Sequence, residues 1–179
     1  MNPTSKFREA RVLLTGEGES FRTLVRALLK MGLRAPVIVE ADDTQLRQLL
    51  QEWKEQDKEL ELKRVAYGRE SRWLRAQTEL PELVVNVSDK YKESAVNALT
   101  ETCAELGIPL LVGTQLHDSE WVAQLRDGKA ATGWDGLIDP FEMPSDRSEG
   151  EEAPNFHLMI GNVAALETFK RLNGLDSLR

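Results

Sequence analysis

Two glycines in the stretch LLTGEGES have the spacing of a phosphate-binding turn. Gly16 and Gly18 follow a short apolar run and precede a segment with helical periodicity, and a helix that begins there offers free N–H groups and partial positive charge to an anion. Phe21, however, stands where G-x-G-x-x-G has its third glycine. Glu17 and Glu19 lie in the same turn, and a carboxylate at about 4 to 6 Å opposes a phosphate by roughly 1 kcal/mol or more. These residues predict a turn that keeps strand-to-helix geometry and has lost most of its affinity for nucleotide.

Acidic side chains follow two further predicted strands. Glu40, Asp42 and Asp43 lie at the end of PVIVE, where an acidic residue commonly binds ribose hydroxyls. Asp89 follows the run LVVNV, at the sheet edge where ligands and Mg²⁺ are usually held. The same residue types are ordinary helix N-caps. The sequence favours this structural use over a ligand-binding one.

The other reactive side chains form no recognisable catalytic or metal-binding set. The two histidines, His117 and His157, are far apart and belong to no H-x-H or H-x-x-x-H pair. The single cysteine, Cys103, lies in a predicted helix among apolar residues, where a buried thiol without chemistry is expected. We therefore predict no catalytic residue and no metal site.

Composition limits the class of partner. The net charge is −7 and the pI is about 5.0, so the protein has no general electrostatic attraction to nucleic acid or to an anionic membrane. One cysteine cannot form an internal disulfide, which fits a reducing compartment. The sequence shows neither a signal-peptide pattern nor a run of about 18 apolar residues. We expect a cytoplasmic protein with no nucleic-acid or membrane partner.

Apolar runs alternate with helical segments along most of the chain. The predicted strands are residues 12–14, 36–40, 60–65, 83–87 and 108–112, and the predicted helices between them include 20–31, 43–53 and 91–106. Parallel neighbours need a connection long enough to return over the sheet, so this alternation indicates a mainly parallel sheet with right-handed crossovers. The predicted fold class is α/β, a Rossmann-like three-layer sandwich, with the third strand near the sheet edge.

The two ends of the chain follow other patterns. Residues 1–10 are polar and are predicted to be a flexible arm, which leaves residues 11–179 as one domain. Residues 121–125 and 136–138 are predicted to be short strands that form a hairpin appended to the sheet. Residues 141–155 are rich in acidic residues, Ser and Pro and are predicted to be a mobile loop.

A closing helix is predicted over residues 156–173 because apolar positions recur there at helical spacing before Gly174. Its expected buried stripe consists of Leu158, Val163, Leu166 and Phe169. Its expected solvent-facing residues are Glu167, Lys170 and Arg171. We expect this helix to be an integral layer of the domain.

The order of these segments resembles the ThiF-like fold of ubiquitin-activating-type adenylating enzymes over most of residues 11–140. LLTGEGES stands where that family has its glycine loop, and EADDTQLRQLL where an acidic strand end precedes an Arg-Gln pair. NVSDKYKES stands where an aspartate follows strand four, and CAELGIPLLVG where a cysteine-bearing helix leads into the next strand. The chain is most similar to the ThiF-like domain of azole-forming (thiazole/oxazole-modified) bacteriocin maturation proteins, in which VLLTGEGESFRTLVRALLKMGL, GWDGLIDP and GNVAALETFKRLNGL have counterparts.

The resemblance implies a nucleotide site. The resemblance implies that the ATP phosphates would face Gly16, Gly18 and Arg47. The ribose would contact Asp42 or Asp43, and the magnesium ion would be bound by Asp89. The third glycine of the family's loop is missing, and neither zinc-binding Cys pairs nor a thioester cysteine can be placed in this chain. We interpret these six residues as a vestigial or low-affinity nucleotide site.

The resemblance also implies a role. We expect a docking or scaffold domain in the biosynthesis of a ribosomally made, azole-containing peptide, not catalytic alone and with no cofactor of its own. Its expected partners are the precursor peptide and/or a YcaO-type cyclodehydratase that uses the ATP, and a homodimer is left open. The main alternative is an active adenylating enzyme that activates a peptide carboxylate and binds ATP and Mg²⁺ at Gly16, Gly18, Arg47 and Asp89. A third is a Rossmann-type dehydrogenase or methyltransferase relative, with Glu40 on a ribose.

Overall fold

The computed structural model describes residues 3–40, 42–90, 92–117, 120–126 and 156–175. The helices are α1 (Pro3–Glu9), α2 (Gly18–Lys30), α3 (Thr44–Gln56), α4 (Glu70–Arg75), α5 (Glu93–Leu106) and α6 (Phe156–Leu172). The strands are β1 (Val12–Glu17), β2 (Pro36–Glu40), β3 (Lys63–Ala66), β4 (Leu83–Ser88), β5 (Leu110–His117) and β6 (Glu120–Arg126). None of the helices in these ranges is long and apolar enough to span a membrane.

The strands form one sheet in the order β3-β2-β1-β4-β5-β6. The first five strands in chain order are parallel, and β6 runs antiparallel to β5. The predicted α/β class is confirmed, and β3 lies at the sheet edge as predicted. Of the predicted hairpin, residues 121–125 belong to β6, which pairs with β5, while residues 136–138 lie outside the described residues. The predicted loop 141–155 also lies outside them.

Helices cover both faces of this sheet. On one face α1, α2, α3 and α6 contribute the buried side chains Phe7, Phe21, Leu46 and Ile160, among others. On the other face α4 and α5 contribute Leu74 and Leu99. The three predicted layers are therefore present. The order of strands reverses between β1 and β4, and ligands of open α/β sheets bind beside the carboxyl ends of the strands at such a switch point.

The described part of the N-terminal segment, from residue 3 onwards, differs from the flexible arm predicted for residues 1–10. Residues 3–9 form α1, and the Phe7 side chain is only 1% exposed. Its ring lies 4.9 Å from the ring of Phe169 in α6, measured between centroids. One aromatic residue in a polar stretch gives no periodicity, so the pattern could not show that this segment packs against the core.

The closing helix is present, and its buried face matches the predicted one only in part. Leu166 is 46% exposed, whereas Glu167 is only 5% exposed. The buried residues of α6 include Ile160, Ala164, Ala165, Thr168 and Leu172. A Cβ on Gly161 would lie 2.5 Å from the Ser20 carbonyl oxygen and 2.7 Å from the Cβ of Thr23. Small side chains thus let α6 approach α2 closely. Of the expected stripe, Val163 and Phe169 do pack against the core, whereas Leu166 does not.

Cys103 is buried in α5, which ends at Gly107 as predicted. Burial raises the pKa of its thiol to about 12, and a thiol reacts as the thiolate. We expect a disulfide reagent such as DTNB to label Cys103 more than about 100-fold faster in unfolded than in native protein. Rapid labelling of the native protein would contradict the inert role of this cysteine.

Candidate functional site

The turn between β1 and α2 is closely approached by β4 and the residue after it. Gly16 and Gly18 have φ values of 142° and 82°, which favour glycine. A Cβ on Gly16 would lie 1.8 Å from the carbonyl oxygen of Val87, and one on Gly18 would lie 2.1 Å from Oδ2 of Asp89. Contacts within the chain are therefore sufficient to explain both glycines without a ligand.

Asp89 lies at the N-terminus of α2, where a phosphate would bind in a nucleotide-binding turn. Its Oδ2 accepts a hydrogen bond from the backbone N–H of Glu19 at 2.9 Å. Its Oδ1 accepts from the backbone N–H of Ser20 at 2.8 Å and from the Ser20 hydroxyl at 2.6 Å. The N-cap residue of α2, Glu17, makes no capping bond with its side chain. Asp89 therefore satisfies two of the free N–H groups and places negative charge at the positive end of the helix dipole.

His157, at the start of α6, lies beside the same carboxylate. Its Nδ1 is 3.3 Å from Oδ1 of Asp89, but the contact lacks hydrogen-bond geometry, since this nitrogen has no hydrogen-bond partner within the described ranges. Burial by itself raises the pKa of Asp89, but the hydrogen bonds from Ser20 and Glu19 and the nearby His157 more than offset it, so the net pKa lies below 3.8. Asp89 is therefore ionised at neutral pH, connects the end of β4 to α2 by hydrogen bonds and lies beside the start of α6.

One of the two glutamates in the turn is neutralised. The Glu17 carboxylate lies 2.6 Å from Nζ of Lys92, and this hydrogen bond raises the pKa of Lys92. The same ammonium lies 6.0 Å from the centre of the Tyr67 ring. Glu19 remains in the first turn of α2. A phosphate at this turn would therefore face the negative charge of Asp89, which occupies the N–H groups of Glu19 and Ser20.

The acidic residues after β2 are each engaged by an arginine. Asp43 caps α3, as its sequence position allows, by accepting a hydrogen bond from the Leu46 N–H at 3.0 Å. Arg22 donates to its other oxygen at 2.8 Å. Burial by itself raises the pKa of Asp43. The hydrogen bonds from Leu46 and Arg22 have the larger combined effect in the opposite direction, so the net pKa is below its usual value. Asp42 is exposed and forms an ion pair with Arg47.

The structure brings most of the predicted site residues to one edge of the sheet. Gly18, Asp42 and Asp43 line an open cleft of about 570 Å³, and Asp89 contacts the turn at its border. Arg47 is not among the residues that line this cleft. Within the described ranges, no group of three His, Cys, Asp or Glu side chains is arranged to hold a metal ion.

A second cavity, of about 250 Å³, lies at the switch point on the α4 and α5 side of the sheet. Its lining includes a row of buried polar residues from β1, β4 and β5, namely Thr15, Asn86, Ser88 and Thr114. The Thr15 hydroxyl donates to the Glu70 carboxylate at 3.3 Å. Sequence reasoning missed this row because each residue is one isolated polar position, either inside an apolar run, as Asn86 is, or at its end, as Thr15 and Ser88 are. The available signal was that each lies near the carboxyl end of its strand.

No protein-family model and no curated protein sequence matches this chain. Among solved structures, Escherichia coli MccB in complex with ATP has a TM-score of 0.70 and 13% sequence identity, over 98% of this chain and 59% of MccB. The Microcin C7 biosynthetic enzyme MccB with N-formylated MccA has a TM-score of 0.66 and 12% sequence identity, over 98% of this chain and 60% of MccB. PaaA has a TM-score of 0.68 and 10% sequence identity, over 99% of this chain and 60% of PaaA. The chain thus spans about 60% of the length of these proteins, and it shares their fold, which is of the Rossmann-like α/β class that its sequence predicts.

Proposed function

We propose that this chain is a ThiF-like docking domain in the maturation of a ribosomally made, azole-containing peptide, and that it does not bind nucleotide itself. The observation that carries the proposal is that the Asp89 carboxylate accepts hydrogen bonds from the backbone N–H groups of Glu19 and Ser20. The shared fold with MccB, which has been solved with the MccA peptide, supports a role in peptide modification. The azole class comes from the sequence resemblance.

A nucleotide would have to displace Asp89 before its phosphate could reach the amides of α2. If both anions remained about 4 Å apart, their repulsion would be roughly 4 kcal/mol at an effective dielectric of 20. That energy corresponds to a loss of about a thousandfold in affinity. Glu19 adds to the repulsion from the first turn of the helix. The site is therefore poorly suited to a triphosphate while Asp89 keeps its position.

The proposed partners are the precursor peptide and/or a YcaO-type cyclodehydratase, with ATP consumed by that partner. The polar cavity at the switch point and the cleft beside Gly18 are concave surfaces that remain open to a bound peptide. A homodimer would be compatible with this role. A measurement of the molar mass in solution would show whether two copies of the chain assemble.

The alternative is an active adenylating enzyme. It is favoured by the ATP complex of MccB and by the cleft that places Asp42 and Asp43 beside Gly18. In that reading Asp89 would leave the α2 N-terminus and help to hold Mg²⁺. The two functions therefore predict opposite effects of removing the Asp89 carboxylate.

Calorimetric titration with ATP and Mg²⁺ at sub-millimolar concentration should give no saturable binding to the wild type. Asp89→Ala should raise the affinity for ATP at least about tenfold, because the competing anion is removed. Glu79→Ala is the matched control, since it removes an exposed carboxylate that pairs with Arg11 at the amino end of β1. Micromolar binding to the wild type that Asp89→Ala abolishes would refute the proposal and support the adenylating enzyme.

A further inference from the structure

The segment from β3 to α4 is positively charged in an acidic protein. Residues 63–75 contain five basic residues and one acidic residue, whereas the whole chain has a net charge of −7. Arg75 is neutralised by an ion pair with a glutamate of α5. Lys63, Arg69 and Arg72 are exposed, and none of them has a carboxylate within 4.0 Å in the described part of the chain. This segment is therefore a local basic surface.

The same segment contains the edge of the sheet. β3 pairs with β2 from Lys63 to Ala66, in parallel register with residues 37–40. Its other side has no neighbouring strand among the described residues. Such an edge presents backbone N–H and C=O groups to which an extended peptide can add. Tyr67, directly after the strand, is 48% exposed and offers an aromatic surface beside it.

Charged side chains on an edge strand also serve to prevent aggregation. Two copies of this edge would repel each other, because both carry the exposed Lys63 and Arg69. The same charges attract an acidic strand, and electrostatic complementarity of this kind selects partners and speeds their association. A strand of four residues provides few backbone hydrogen bonds, so a peptide that pairs with it needs the charge contribution as well.

We infer that the free edge of β3 binds an acidic, extended segment of the peptide partner, which adds to the sheet as a seventh strand. The inference rests on the proposed docking function and specifies where the peptide binds and which charge it carries. Backbone pairing with β3 supplies the alignment of the peptide. Lys63, Arg69 and Arg72 supply the preference for acidic side chains.

Fluorescence anisotropy with a labelled peptide of alternating glutamate and valine tests the charge requirement. The double variant Lys63→Glu/Arg69→Glu should weaken binding at least about tenfold relative to wild type. The matched control is Lys30→Glu/Lys54→Glu, which makes the same change in net charge at exposed lysines of α2 and α3 and should bind nearly as the wild type does. Equal binding by the two double variants, or no binding to the wild type, would overturn the inference.

A second probe tests the strand pairing. The same peptide with all backbone nitrogens methylated keeps its charge but has no N–H to donate along either edge, so it should bind at least about tenfold more weakly. Equal binding of both peptides would overturn the strand addition. A wild-type dimer that Lys63→Glu/Arg69→Glu dissociates would also overturn it, because a second copy would then occupy the edge. Absence of peptide binding without ATP binding refutes only this inference, whereas saturable ATP binding refutes the proposed function itself.

Discussion

Replacing Gly161 by valine should lower the free energy of unfolding by about 3 kcal/mol, the upper end of what overpacking usually costs. The first carbon of any side chain at this position would meet the Ser20 carbonyl oxygen at 2.5 Å and the Thr23 side chain at 2.7 Å. Backbone cannot move aside as a flexible side chain can, so α6 would have to separate from α2. Valine has a higher helix propensity than glycine, so propensity alone would make the variant more stable. A lower free energy of unfolding would therefore come from the disturbed contact between α6 and α2. Urea denaturation followed by circular dichroism measures it.

Leu166→Ala on the same helix is the control. Leu166 is exposed, and we expect its truncation to change the free energy of unfolding by no more than about 0.5 kcal/mol. The opposite pattern, with a large loss for Leu166→Ala and none for Gly161→Val, would show that α6 packs through Leu166 and not through a close approach to α2 at Gly161.

Asp89→Ala should lower the free energy of unfolding by about 2 kcal/mol at pH 7. Loss of a helix cap costs roughly 0.5 to 2 kcal/mol, and hydrogen bonds to a charged group contribute about 1.5 to 3 kcal/mol. Here one carboxylate accepts from two amides and a hydroxyl at the start of α2. Asp42→Ala is the matched control, because the Asp42 side chain is 97% exposed and its removal should cost no more than about 0.5 kcal/mol.

The effect of Asp89→Ala should depend on pH in a defined direction. The pKa of Asp89 is lowered in the native state from the ordinary value of 3.8, so on acidification the unfolded chain takes up this proton first. The contribution of the carboxylate is fully present above that ordinary value and is lost as the pH falls through the native pKa. The difference in stability between wild type and variant should therefore shrink below about pH 4. A difference that grows on acidification would contradict the assigned environment.

Most elements of the fold could be predicted because their signals are local. Strand β2 was predicted with the observed bounds, Pro36–Glu40, since a proline begins it and acidic residues follow it. Helix α5 ends at Gly107, which has the left-handed conformation that glycine favours. Two features that the sequence did not predict, α1 and the close approach of α6 to α2, depend on contacts between distant segments. Phe7 packs against α6 and Gly161 against α2, and neither contact leaves a periodic pattern in the sequence.

The candidate site was predictable in its residues but not in their connections. The sequence placed Gly16, Gly18 and Asp89 at one edge of the sheet, and the structure brings them together. It could not show that Asp89 turns towards α2, because that depends on the register of β1 against β4. The polar row at the switch point depends on the same register, which aligns Thr15 with Asn86 and Ser88 with Thr114.

Because Asp89 is part of the chain, it competes with any free anion as a tethered ligand. A group held by a short linker has an effective concentration of about the millimolar range or above. This concentration does not fall when the protein is diluted or when the cell's supply of small anions changes. Occupancy of the α2 N-terminus is thereby set by one covalently attached residue. A substitution at position 89 could change the availability of that terminus while every residue of the glycine turn stays the same.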